Sequence, residues 1–143
     1  MPRVIVDTNV LVSSLIQRSY PYFIMHEIFT RGGFQLCLSE ALLQEYYAVL
    51  TRPKFSRFPS FTVRAEVMLA FIASKALMFA PTAQINHISD DSDNRILELA
   101  VESSADFIIT GNTNDFSFPS YGITRILTPK EYWEWHVSQH PII

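Results

Sequence analysis

The sequence predicts an α/β domain with a central, mainly parallel β-sheet flanked by helices. Short β-branched or aromatic runs recur along the chain, segments with helical spacing lie between them, and Pro, Gly or Ser punctuates their ends. A chain of 143 residues suits one domain with a buried core. No repeat, low-complexity tract or linker divides it, so residues 1–143 are read as one unit.

The elements follow in order. Strand Val4–Val6 runs into Asp7, Thr8 and Asn9, and "NVLVSSLI" continues as a helix. "PYFIMHEIFTRGG" is a second helix, entered at Pro21 and stopped at Gly32-Gly33. Strand Phe34–Leu38 leads to "SEALLQEYYAVLTR", a helix capped by Ser39 and closed by Pro53. The Pro- and Phe-rich stretch from Arg52 to Phe61 is the longest loop candidate. Residues Thr62 to Lys75 form a helix with apolar residues at Val63, Val67, Phe71 and Ile72. Strand Leu77–Phe79, helix "DNRILELAVESSA", strands Phe107–Thr110 and Arg125–Leu127, and a last helix "TPKEYWEWHV" complete the set. In the "DNRILELAVESSA" helix, Ile96, Leu97, Ala100 and Val101 are expected to be buried.

Composition narrows the function classes. With 48% hydrophobic and 17% charged residues, and a mean hydropathy of +0.13, the chain has apolar surface to spare for a partner. A net charge of −3 supplies no overall basic field, so any nucleic-acid affinity rests on local cations or bound metal. Cys37 stands alone, which excludes an internal disulfide and fits a reducing cytoplasm. No signal-peptide pattern or apolar run near 18 residues predicts export or a membrane span.

The chemistry concentrates in acids. A hydrophobic strand ends on Asp7, where open parallel sheets bind ligands, although the same residue serves equally as a helix N-cap. Glu45 lies at the flank of the stripe Leu42, Leu43, Tyr46, Val49 and Leu50. "SDDSDNRILELA" sets Asp90, Asp91 and Asp93 before a helix. The helix dipole accommodates one or two of them, and a cation would relieve the crowding of three. "ADFIITGNTNDF" repeats the opening design, a buried strand delivering Thr110, Asn112 and Asp115 to an edge. Carboxylate oxygens with few His or Cys suit Mg2+ or Mn2+ better than zinc or iron, which is the donor set of nuclease and phosphotransfer sites.

The ordered set of strand-DTN-V-L, a helical Glu about 40 residues on, "DDSDNRILELA" and "ADFIITGNTNDF" resembles the PIN domain family of small nucleases, which includes the toxins of many bacterial toxin–antitoxin pairs. The trailing "ITRILTPKEYWE" is similar to the end of one PIN subfamily. The resemblance implies a Mg2+- or Mn2+-dependent endoribonuclease that hydrolyses RNA without a covalent protein intermediate. It implies Asp7 as central metal ligand, with Glu45 and Asp93 as the next acids. Asp93 is preferred to Asp90 and Asp91 because it directly precedes "NRILELA". The family's fourth acid is replaced here by Asn112, with Asp115 three residues on as the substitute ligand. Thr8, Asn9, Thr110 and Asn112 would support the acids. It also implies a homodimer and an antitoxin partner.

For RNA, "TRPKFSRFPSF" interleaves Arg52, Lys54 and Arg57 with Phe55, Phe58 and Phe61, although a surface loop with buried Phe residues explains the same pattern. His136 and His140 have metal-ligand spacing but no acid motif nearby, and are read as solvated. Two rivals remain. A haloacid dehalogenase phosphatase needs a second Asp two residues after the first, where this chain has Asn9. A catalytically weak PIN module acting through protein or RNA binding is kept open by Asn112.

Overall fold

The computed structural model describes residues 1–139, apart from the side chains of residues 28 and 29. In chain order the elements are β1 (Arg3–Val6), α1 (Thr8–Ile16), α2 (Tyr20–Thr30), β2 (Gln35–Ser39), α3 (Glu40–Leu50), a 3₁₀ segment (Pro53–Arg57) and α4 (Phe61–Lys75). There follow β3 (Leu77–Phe79), α5 (Asp91–Ser103), β4 (Phe107–Ile109), β5 (Ser120–Tyr121), β6 (Thr124–Leu127) and α6 (Pro129–Gln139). The sheet order is β3-β2-β1-β4-β6-β5, parallel throughout except for the β5–β6 pair. The α/β class is therefore as the sequence predicts, in a single domain.

This order makes a topological switch point. From β1 the chain builds outward through β2 and β3, then returns to lay β4 on the other side of β1. Crossovers leave in opposite directions from β1 and β4, so a crevice opens beyond their carboxyl ends. The β1–β4 register pairs Val4, Ile5 and Val6 with Phe107, Ile108 and Ile109. All six of these side chains are buried, which is why both strands read as uninterrupted apolar runs. Arg3 fastens the opposite end: its N–H donates to the Asp106 carboxylate at 2.8 Å and its guanidinium to the Ser103 carbonyl at 2.7 Å.

Two local expectations are corrected. The stretch Arg52 to Phe61 is not an open loop. Pro53 starts a 3₁₀ turn that buries Phe55, whose ring stacks on Phe61 with centroids 5.0 Å apart. Among the described residues the longest irregular connection is instead 80–90, between β3 and α5. Helix α4 is apolar on more than one face, and the face it buries is Phe61, Ala65, Met68, Leu69 and Ile72, leaving Val63 and Val67 63% and 60% exposed. Val101 on α5 is also exposed, because the buried face of that helix runs through Ile96, Leu97, Leu99 and Ala100. The two-residue strand β5 has no apolar run to announce it.

Substitution should reproduce this assignment. Leu69→Ala is expected to destabilise the chain by about 2–5 kcal/mol, whereas Val63→Ser and Val67→Ser should each stay within about 0.5 kcal/mol. Urea unfolding checks this. Losses at Val63 or Val67 as large as that at Leu69 would mean that α4 buries the other face.

Candidate metal centre

Asp7 is the first residue beyond β1, and its backbone N–H continues the ladder by donating to the Ile109 carbonyl at 2.9 Å. Its carboxylate, buried at the switch point, is held by three donors. The Thr8 N–H reaches Oδ1 at 2.8 Å, while the Thr110 hydroxyl and the Asn9 amide reach Oδ2 at 2.7 and 3.1 Å. Asp7 is also the N-cap of α1, so the capping role and the site geometry coexist in one side chain. Asn9 ties the two strand ends together, since its Oδ1 accepts from the Gly111 N–H at 3.1 Å.

Helix α3, capped by Ser39 through the Leu42 N–H, turns Glu45 toward this edge. The Thr8 hydroxyl donates to Glu45 Oε2. One residue on, Tyr46 is fully buried and its hydroxyl donates to the carbonyl of Val6, bracing the strand end that carries Asp7. Tyr46 contributes to the site by positioning, a role hidden in the sequence because it reads there as part of an apolar stripe.

The start of α5 is fixed by side chains of the helix itself. Asp90 is its N-cap: Oδ1 accepts from the N–H groups of Ser92 at 2.8 Å and Asp93 at 3.4 Å. Asn94, with no exposed surface, accepts from the N–H groups of His87 and Ile88 at 3.0 and 2.9 Å and donates to the Ile88 carbonyl at 2.7 Å. Glu98 and Glu102 hold the same connection at the N–H groups of Ile85 and Thr82, at 2.9 and 3.2 Å. The signal available for Asn94 was its place three residues before Leu97, a helical spacing that carries its amide toward the buried side, where it needs partners.

Beyond β4, Asn112 and Asp115 close on each other. The Asn112 amide donates to Asp115 Oδ2 at 2.9 Å, and its carbonyl oxygen accepts from the Asp115 N–H at 3.3 Å. Asp115 is thereby directed at α5, where ligand oxygens of Asp90, Asp93 and Asp115 lie within 4.8 Å of one another. Of the four acids expected to hold metal, the structure joins Asp93 to Asp115, with Asp90 added. Asp7 and Glu45 lie outside that trio, though the charge of Asp7 reaches Asp93 and the charge of Glu45 reaches Asp7.

Asp93 carries the electrostatic strain. It is 7% exposed, and its Oδ2 is fully buried without a hydrogen-bond partner. Burial pushes its carboxyl up to about 8, aided by the facing Asp115 carboxyl and by the charges of Asp7 and Asp90. Burial also raises Asp7; its three donors act against that shift, and the charge of the neighbouring Glu45 adds to it. A buried acceptor without a donor costs about 1–3 kcal/mol. A proton or a cation removes that cost, and an all-oxygen set fits Mg2+ or Mn2+.

The other candidates separate. Arg52, Lys54 and Arg57 are exposed, but Phe55 and Phe61 are packed inside and Phe58 is half-buried, so the rings form no open stacking platform. His136 is not solvated. Because α6 packs on α2, its ring is buried with Nε2 3.6 Å from Glu27. His140 lies outside the described residues. Among those described, no helix is long and apolar enough to cross a membrane.

Acids gathered around a parallel switch point define an α/β domain whose sheet edge carries an oxygen-only set of side chains, of the chemistry that suits a hard cation. The chain belongs to the PIN domain family, whose model, described as "PIN domain", matches residues 3–114. An uncharacterized protein of Methanocaldococcus jannaschii, MJ1680, is 28% identical over 141 residues, covering 92% of this chain and 90% of that protein. A chain of the VapBC2 structure from Rickettsia felis, bound to a DNA fragment from their promoter, shares the fold with a TM-score of 0.56 and 15% identity, over 88% of this chain and 98% of that one. A chain of VapBC-1 from nontypeable Haemophilus influenzae superposes with a TM-score of 0.47 and 17% identity, over 80% and 90%.

The state of Asp93 has a consequence for pH. Its folded-state value of about 8 lies above the ordinary 3.8, so the folded chain holds the proton more tightly than the unfolded one. The resulting stability is complete below about pH 4 and is lost as pH rises through about 8. In chelator, the melting temperature is therefore expected to fall between pH 5 and pH 8, and Asp93→Asn should flatten that fall. An unchanged slope in the variant would show that Asp93 is not the group responsible.

Proposed function

We propose that this PIN domain is a Mg2+- or Mn2+-dependent endoribonuclease, the toxin component of a toxin–antitoxin pair. The observation that carries this reading is the buried Asp93 carboxyl, whose Oδ2 has no hydrogen-bond partner, beside Asp115 and within reach of the Asp7 charge, an oxygen-only arrangement at the switch point. Asp7, Glu45, Asp93 and Asp115 would hold the metal, which when bound would neutralise the phosphodiester and acidify a water.

The chain's own residues set the geometry of the acids. Thr8 and Thr110 fix Glu45 and Asp7 through their hydroxyls, Asn9 locks the two strand ends together, and Asn112 aims Asp115. Exposed Arg52, Lys54 and Arg57 would contact RNA phosphates, giving binding that weakens with salt. The exposed Val63 and Val67 are in keeping with a homodimer or an antitoxin partner in the cytoplasm. The VapBC2 structure from Rickettsia felis, one chain of which shares this fold, lends the antitoxin reading support.

A second reading, a PIN module of weak or no activity, draws on Asn112. Its amide is taken up by Asp115 and brings no charge to the site.

Cleavage of RNA with Mn2+ or Mg2+, compared between the wild type and Asp7→Asn, separates the two. The nuclease reading expects metal-dependent cleavage that falls on the order of 100-fold or more in the variant, with the melting temperature in chelator unchanged or raised by relief of repulsion. Wild type that leaves RNA intact under both metals would favour the binding module. Cleavage unaffected by Asp7→Asn would remove Asp7 from the site.

A further inference from the structure

The position at which the family resemblance expects a fourth acid is Asn112, and the structure shows what Asn112 does instead. Both ends of its amide are bonded to Asp115, so it acts on an acid rather than as one. The third carboxylate beside Asp93 and Asp115 is Asp90, whose ligand oxygen lies within 4.8 Å of theirs. Only Asp90 Oδ1 is used in capping α5, which leaves the second oxygen available.

Acids crowd helix N-termini for ordinary reasons, so the trio needs an independent sign of a ligand. Asp93 supplies it: the side chain is more than nine-tenths buried, and its Oδ2 meets no donor. By contrast, the Asp7 oxygens already accept three hydrogen bonds, and Glu45 accepts from Thr8. The unmet demand for positive charge lies on the α5 side of the crevice.

We infer that Asp90 is a ligand of the divalent cation, completing with Asp93 and Asp115 a three-carboxylate seat that makes up for the acid missing at Asn112. This rests on the metal-dependent reading above and adds to it a residue that the motif alone does not select. Asp90 thus has two roles, one oxygen setting the start of α5 and the other meeting the cation. Asp91, its exposed neighbour of equal charge, lies outside the trio and has no such role.

Mn2+ binding to the purified chain, read as loss of the free-ion signal in electron paramagnetic resonance, tests this. Asp90→Asn is suitable because Asn caps helices as well as Asp does, and Asp90→Ser, another good cap, provides a second variant. Both should weaken Mn2+ binding on the order of tenfold or more, while Asp91→Asn stays within about threefold, since affinity follows ligand charge count. Equal, small losses in Asp90→Asn and Asp91→Asn would overturn the assignment. If the wild type then still cleaved RNA with Mn2+, the nuclease reading would stand without it. Asp90-dependent Mn2+ binding by a chain that leaves RNA intact would support the seat and overturn the nuclease reading. Wild type that binds no Mn2+ at millimolar concentration would overturn both.

Discussion

Asp93 sits where three constraints meet: the first turn of a buried helix, the carboxyl edge of a parallel sheet, and the approach of Asp115 from beyond β4. Burial and like charge both oppose its ionisation, and its Oδ2 meets no protein donor. A polar group is kept this way only if the surroundings hold it there or a ligand completes it. The neighbouring polar contacts make sense in relation to that demand. Thr8, Asn9 and Thr110 donate three hydrogen bonds to the Asp7 carboxylate, whereas no donor of the chain meets Asp93 Oδ2.

The frame that enforces this closeness is built from both directions. On one side, Asn9 and the β1–β4 ladder set the two strand ends in register, so that Thr110 meets Asp7 across the sheet. On the other, Asn94, Glu98 and Glu102 strap the 80–90 connection onto α5. This connection enters α5 at Asp90, so the strap and the cap together determine where Asp90 and Asp93 point. Polar residues on the inner face of α5 thus hold the connection and, through it, set the positions of the acids. Repulsion among the acids works against folding in the absence of metal, and the apolar strands Val4–Val6 and Phe107–Ile109 beneath them offset it.

Much of this was legible in the sequence. Two apolar runs that each end in short polar residues mark the ends of β1 and β4, because parallel strands covered on both faces carry no alternation. Ser39 and Pro53 bound α3 for reasons of local backbone chemistry. What could not be read depends on long-range packing. Helix α4 has apolar residues on several faces, so periodicity could not choose Leu69 over Val67. Strand β5 is two residues long and is defined by its pairing with β6. The burial of His136 depends on α6 meeting α2. Within the acid run, "SDDSD" indicates a helix start, whereas the sharing of Asp90 and Asp93 with Asp115 depends on how the residues after β4 fold back.

The proposed cation lies between α5 and the segment beyond β4. Anomalous diffraction from crystals of the chain grown with Mn2+ locates that ion directly. A peak is expected within oxygen-ligand distance, about 2 Å, of both Asp93 and Asp115. A peak coordinated by Glu45 with Asp93 left empty, or none at saturating Mn2+, would contradict that placement.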